Sequence, residues 1–166
     1  MNPYHSNPIA MKKILAILLP ILISAPFLQA ADHKHAAAGK MPRQPSPKGA
    51  SAYIVSPKDG ATVGKKVKVV FGLNGMGVCP AGLVGADGKP IPNTGHHHLL
   101  INACTLPPMN MPLAASDSLK HFGAGQTETT LELEPGKYTL QLVLADFAHI
   151  PHNPPVVSKK ITVTVK

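Results

Sequence analysis

The stretch "TTLELEPGKYTLQLVLA", residues 129–145, alternates apolar and polar side chains on both sides of a Pro-Gly pair. Thr129, Leu131 and Leu133 interleave with Glu128, Glu132 and Glu134. Beyond Pro135-Gly136, Tyr138, Leu140, Leu142 and Leu144 keep the period of two. A period of two puts successive side chains on opposite faces, so each run reads as a strand with one buried and one wetted face. Val67, Val69, Phe71 and Leu73 repeat the pattern against Lys66 and Lys68, as do Ile161, Val163 and Val165 against Lys160, Thr162 and Thr164. Antiparallel sheets bury one face in this way. No helical apolar period competes with it. Short strands, turn signals and many prolines predict an all-β, two-sheet antiparallel β-sandwich.

The amino-terminal part of the chain carries a different pattern. Lys12 and Lys13 precede an apolar run from Ile14 to Phe27, broken by Pro20 and Pro26 and closed by Leu28-Gln29-Ala30. This predicts a secretory signal peptide over residues 1–30, with Met11 a candidate true start, cleavage after Ala30 and a periplasmic or secreted product. The apolar run is too short and too proline-broken for a stable membrane span. Residues 31–50 follow, rich in Ala, Pro, Gly and Lys. Their composition predicts a disordered basic tether, because too little apolar surface is available to offset the entropy of ordering. The formal charge of the whole chain is +8, with only 4% aromatic residues. Export and the lack of stacking platforms argue against nucleic acid as a partner. Residues 51–166 form one domain by length. Tyr53 to Val55 should open it as an edge strand, Lys58-Asp59-Gly60 should turn the chain, and Lys65 to Leu73 should form the second strand.

Cys79 and Cys104 are the two cysteines. An even pair in an oxidising compartment is expected to form a disulfide, with a thiolate metal site as the rival reading. The Gly- and Pro-rich segment from Gly75 to Gly95 reads as a long loop, and such loops in small domains tend to be functional.

Histidine is the residue type that most invites a functional reading. "NTGHHHLLIN" carries His96, His97 and His98 on one predicted strand. Alternation lets His96 and His98 act as an i, i+2 pair, while His97 looks to the opposite face and toward the core. His121 in "KHFGAGQTET" and His149 and His152 in "ADFAHIPHNPP" can join them if the loops meet at one end of the sheets. Imidazole suits copper, zinc and nickel, and carboxylates are scarce beside these residues, which disfavours calcium or magnesium. The candidate metal ligands are therefore His96, His98, His121, His149 and His152, with copper or zinc as the expected ion. The competing reading is a hydrogen-bonded histidine network without an ion. His33 is a secondary candidate. Cleavage after Ala30 would free an Ala31-Asp32-His33 terminus that can wrap a cupric ion in its preferred square. Met109 and Met111 form an M-x-M pair that could take a cuprous ion, although gap-filling in the core explains them equally well.

No nucleophile elbow and no paired catalytic carboxylates are recognisable, so the domain is expected not to be an enzyme. Two functions stay open. One is a small extracytoplasmic metal-binding protein. The other is a non-catalytic envelope module that docks a protein or a glycan.

The motifs "SPKDGATVGKKVKVVFGLNGMGVCPAG", "NTGHHHLLIN", "LPP" and "HFGAGQTETTLELEPGKYTLQLVLADFAHIPHNPPVVSKKITVTV" run in order through most of the domain. Together they resemble a secreted bacterial family, domain of unknown function 4399. The resemblance implies a secreted or periplasmic immunoglobulin-like sandwich with no assigned activity. Its polar signature falls on His96, His97, His98, His121, Gln126, Thr127, His149 and His152. Cys79, Cys104, Met109 and Met111 are not part of that signature.

Overall fold

The computed structural model describes residues 42–166. Among these residues all regular structure is strand: β1 (Ser51–Ser56), β2 (Thr62–Val63), β3 (Lys66–Asn74), β4 (Gly77–Val78), β5 (Thr94–Ile101), β6 (Leu119–His121), β7 (Glu128–Glu132), β8 (Gly136–Ala145) and β9 (Ile161–Val165). The signal peptide, the Met11 start, residues 31–41 of the expected tether and His33 lie outside the described residues.

Two sheets form. One has the order β1-β3-β7; the other runs β2-β9-β8-β5-β4, with β6 also paired to β5. The main ladders are antiparallel, as the alternation requires. Two short edge pairings, β2 with β9 and β4 with β5, are parallel. At Pro135-Gly136 the chain crosses between sheets, since β7 pairs with β3 whereas β8 lies between β5 and β9. The Tyr138 hydroxyl donates to the Glu134 carbonyl at 3.0 Å across this corner.

The alternating apolar positions of both sheets meet in one core. Val67, Val69, Phe71 and Leu131 come from the smaller sheet; Leu99, Ile101, Leu140, Leu142, Leu144, Ile161, Val163 and Val165 come from the larger. Burial of each leucine is worth roughly 1.5–3 kcal/mol, which fixes the register, because a one-residue slip would expose the whole set. The polar side of the β3–β7 ladder carries ion pairs, Lys66 with Glu132 at 3.6 Å and Lys68 with Glu128 at 2.9 Å. Exposed pairs like these add little stability.

The larger sheet is covered on its other face as well. Leu100 on β5, Leu119 on β6 and Val143 and Ala145 on β8 join Leu113 in a second apolar cluster, with Met109 packed against it. This is why β5 and β8 are buried on both sides. It also means that a side chain on the outer face of β5 has no ready access to water.

Two sequence expectations are corrected here. Residues 43–46 do not behave as free tether: Asn153 donates to the Gln44 carbonyl at 2.9 Å, and the Ser46 amide donates to the Asn153 carbonyl at 3.2 Å. Composition reported their weak burial but not the partner backbone. Cys79 and Cys104 are both free, the first buried and the second exposed. The Cys79 amide is bonded to the Gly95 carbonyl at the start of β5, whereas Cys104 follows the other end of that strand. At about 3.3 Å per residue the strand holds them on the order of 20 Å apart, beyond the reach of an S–S bond.

Candidate metal centre

The "GHHH" run sits in β5, with Gly95, His96, His97 and His98 all buried. Pleating divides the imidazoles. His97 turns inward and packs on Phe71 with ring centroids 5.1 Å apart, in the rung shared with Leu144. His96 and His98 turn to the outer face, 4.8 Å apart.

A third imidazole arrives through β6, a strand too short to be legible from periodicity. It pairs with β5 so that His121 stands directly opposite His98, and their rings lie 5.1 Å apart. The backbone continues the same edge, where the Phe122 amide donates to the His97 carbonyl at 3.1 Å. The His121 ring lies over Gly123; a Cβ built there would come within 2.5 Å of its Nε2.

The fourth comes from the loop after β8. Asp146 is buried, and its Oδ1 accepts from the Ala148 and Ile150 amides, both at 2.9 Å. This carboxylate-centred turn is the Asx type that lets a chain reverse tightly. At its apex His149 adopts φ 65°, a left-handed conformation uncommon for a residue with a side chain. The Leu113 amide bonds the His149 carbonyl at 2.9 Å, and the imidazole is thereby aimed at β5. His149 Nδ1 lies 3.0 Å from His96 Nε2 and its ring 4.6 Å from that of His121. Asp146 is thus a positioning residue.

One nitrogen from each of His96, His98, His121 and His149 lies within 4.8 Å of the others. Four nitrogens bound to one ion at 2.0–2.1 Å sit about 3.3 Å apart in a tetrahedron, so a small inward movement of the side chains completes a shell. The group is graded in depth: His96 and His98 are fully buried, His149 partly so, and His121 is exposed.

The electrostatics favour neutral rings. Burial, followed by the neighbouring imidazoles of His149 and His121, lowers His96 from 6.5 to about 3. Burial, then His96, His121 and His149, lowers His98 to about 3 as well. His97 falls to about 4 through burial alone. His121 is also lowered, by desolvation and then by His149. A neutral imidazole offers the lone pair that a metal needs. Yet several ring nitrogens find no protein partner: within the cluster His98 Nδ1 and Nε2 and His96 Nδ1, and outside it His97 Nδ1 and His152 Nδ1, are buried without one. Leaving such groups unpaired costs roughly 1–3 kcal/mol each.

His152 does not join the ring cluster. Its Nε2 contacts the Thr94 carbonyl at 3.1 Å, and its pKa is lowered by burial against the raising influence of Asp146. The ring fits against Gly95, where a Cβ would lie 3.0 Å from His152 Cε1. It is therefore a structural residue beneath β5. Met109 packs in the second apolar cluster, and Met111 is exposed. No helix among the described residues is long and apolar enough to cross a membrane.

A family model described as "Domain of unknown function (DUF4399)" matches residues 69–166, a span that contains all four clustered histidines. No curated protein and no solved structure matches the chain.

Proposed function

Since the chain belongs to the DUF4399 family, whose function is unassigned, we propose from the site itself that it is a small secreted or periplasmic metal-binding protein. Its centre is His96, His98, His121 and His149, and copper is the ion we assign, with zinc as the alternative. The observation that carries this reading is His98, a fully buried side chain with neither ring nitrogen partnered, facing three other imidazoles. Buried polar groups are nearly always satisfied, and a bound ion would take one nitrogen of each of the four rings. An all-imidazole set suits copper and zinc, and divalent affinity rises to copper along the first transition row.

The protein acts by binding rather than by catalysis in this reading. His96 and His98 form a fixed floor on β5; His149 and His121 close the shell from the solvent side. Support for an immunoglobulin-like sandwich as the scaffold comes from the strand orders β1-β3-β7 and β9-β8-β5, which correspond to the A-B-E and G-F-C arrangement. The Tyr138 hydroxyl bond at the β7–β8 corner matches the tyrosine corner of such folds.

A second reading, an envelope interaction module for a protein or glycan, draws on exposed apolar side chains at Leu83, Val84, Leu106 and Met111. It leaves the unpartnered ring nitrogens without a purpose. Calorimetric titration of the metal-free protein with Cu(II) and Zn(II) decides the matter. One ion should bind per chain at micromolar or tighter Kd, and His98→Ala and His149→Ala should abolish binding. Wild-type protein that binds neither ion removes the metal reading.

A further inference from the structure

The Asp146 turn holds the apex of the loop that delivers His149, whereas the stretch that follows it is poorly equipped to hold its own shape. Pro151, Pro154 and Pro155 have no amide hydrogen, so this stretch offers few donors of its own. The loop also carries a left-handed His149 at its apex. Such a conformation persists where the surroundings over-determine it.

Beyond the Asp146 turn, the continuation of the loop is held from the far end of the domain in sequence. Arg43 Nε donates to the Pro151 carbonyl at 2.8 Å, and its Nη2 donates to the His152 carbonyl. The next three residues continue the seam. Gln44 accepts from the Asn153 amide, Pro45 forms a parallel bridge with Asn153, and Ser46 Oγ donates to the Pro154 carbonyl at 2.7 Å. A guanidinium presents several fixed N–H groups in one plane, and this lets it serve the two successive carbonyls of Pro151 and His152.

We propose that Arg43, with Gln44 and Ser46, is a strap that positions the His149 arm of the metal centre. The inference rests on the metal reading above. Arg43 touches no ligand nitrogen; it acts through the backbone of residues 151–154, two residues beyond His149. The strap also joins the segment leading into the domain directly to the one ligand-bearing loop, so a pull or a partner on that segment is transmitted to the ion.

The test uses the chain from residue 31 onward, with Arg43→Ala and Arg43→Lys. Zn(II) and Cu(II) affinities are measured by competition titration, and backbone amide exchange is followed at His149, Ile150 and Asn153. Arg43→Ala should weaken binding at least tenfold and speed exchange at these three amides, while the β3 and β8 amides keep their protection. Arg43→Lys, able to serve only one carbonyl well, should fall between. Lys160→Ala, which removes a lysine bonded to the Ala103 and Cys104 carbonyls away from the loop, should change neither readout. Wild-type affinity in Arg43→Ala, or unchanged exchange at residues 149–153, overturns the strap. If the wild type binds no metal but exchange still rises in Arg43→Ala, the metal reading fails and the strap stands as a loop clamp.

Discussion

His98 and His121 are register partners across the β5–β6 ladder, with ring centroids 5.1 Å apart and both rings on the outer face of the larger sheet. This pairing adds an exposed third ring to the buried i, i+2 histidine pair, and the β8 loop brings His149 against all three.

His97 and His98 are chain neighbours with opposite duties, and alanine replacements should separate them. His98→Ala should abolish measurable metal binding, a loss of ~100-fold or more, about 3 kcal/mol. His97→Ala should leave binding within a few-fold of wild type. It should lower folding stability by about 2 kcal/mol, through the lost contact with Phe71 in the main core. Titration calorimetry and urea unfolding read the two effects.

Acid should destabilise the metal-free domain. His96 and His98 titrate near 3 and His97 near 4 in the fold, against 6.5 as the ordinary value. Between those limits the unfolded chain holds protons that the fold excludes. Stability is therefore complete above pH 6.5 and falls as pH drops from 6.5 toward 4. Each fully contributing histidine adds up to about 1.4 kcal/mol per pH unit. Urea midpoints measured at pH 7.5, 6 and 5 should decrease in that order; equal midpoints would contradict the buried neutral rings.

Bound metal should raise the melting temperature. At an ion concentration 100 times Kd, linkage adds ~2.7 kcal/mol, and a chelator should remove it. His98→Ala should melt at one temperature with or without the ion.

Gly123→Ala should push the His121 ring aside, because the added Cβ would lie within 2.5 Å of its Nε2. His121 is exposed, so it can swing outward at small cost to folding. The expected result is metal affinity lowered ~10-fold with a melt within a few degrees of wild type, and a larger unfolding effect would indicate that the ring is held in place.

Reductant should leave the fold unchanged. Loss of a native disulfide from a small domain costs about 2–5 kcal/mol, and Cys79 and Cys104 are free. Thermal melts with and without dithiothreitol should coincide, as should that of the Cys79→Ser, Cys104→Ser double variant.

The sequence by itself determined the longer strands, their faces and the division of the histidine run, because the period of two is a local property of the chain. Leu140, Leu142 and Leu144 can only lie on one side of β8, and His97 can only oppose His96 and His98. Neighbours across a ladder are not encoded in that period. Three residues of β6 are too few to show alternation, so His121 could be placed beside His98 only by folding. The same holds for the Asp146 turn that selects His149 and leaves His152 beneath Gly95, and for the Arg43 contacts that order residues 43–46. The expected disulfide failed for the same reason: parity and compartment describe cysteines in general, whereas the length of β5 decides whether these two can meet. Ring convergence is a long-range property of sheet order and loop closure, and only the tertiary structure supplies it.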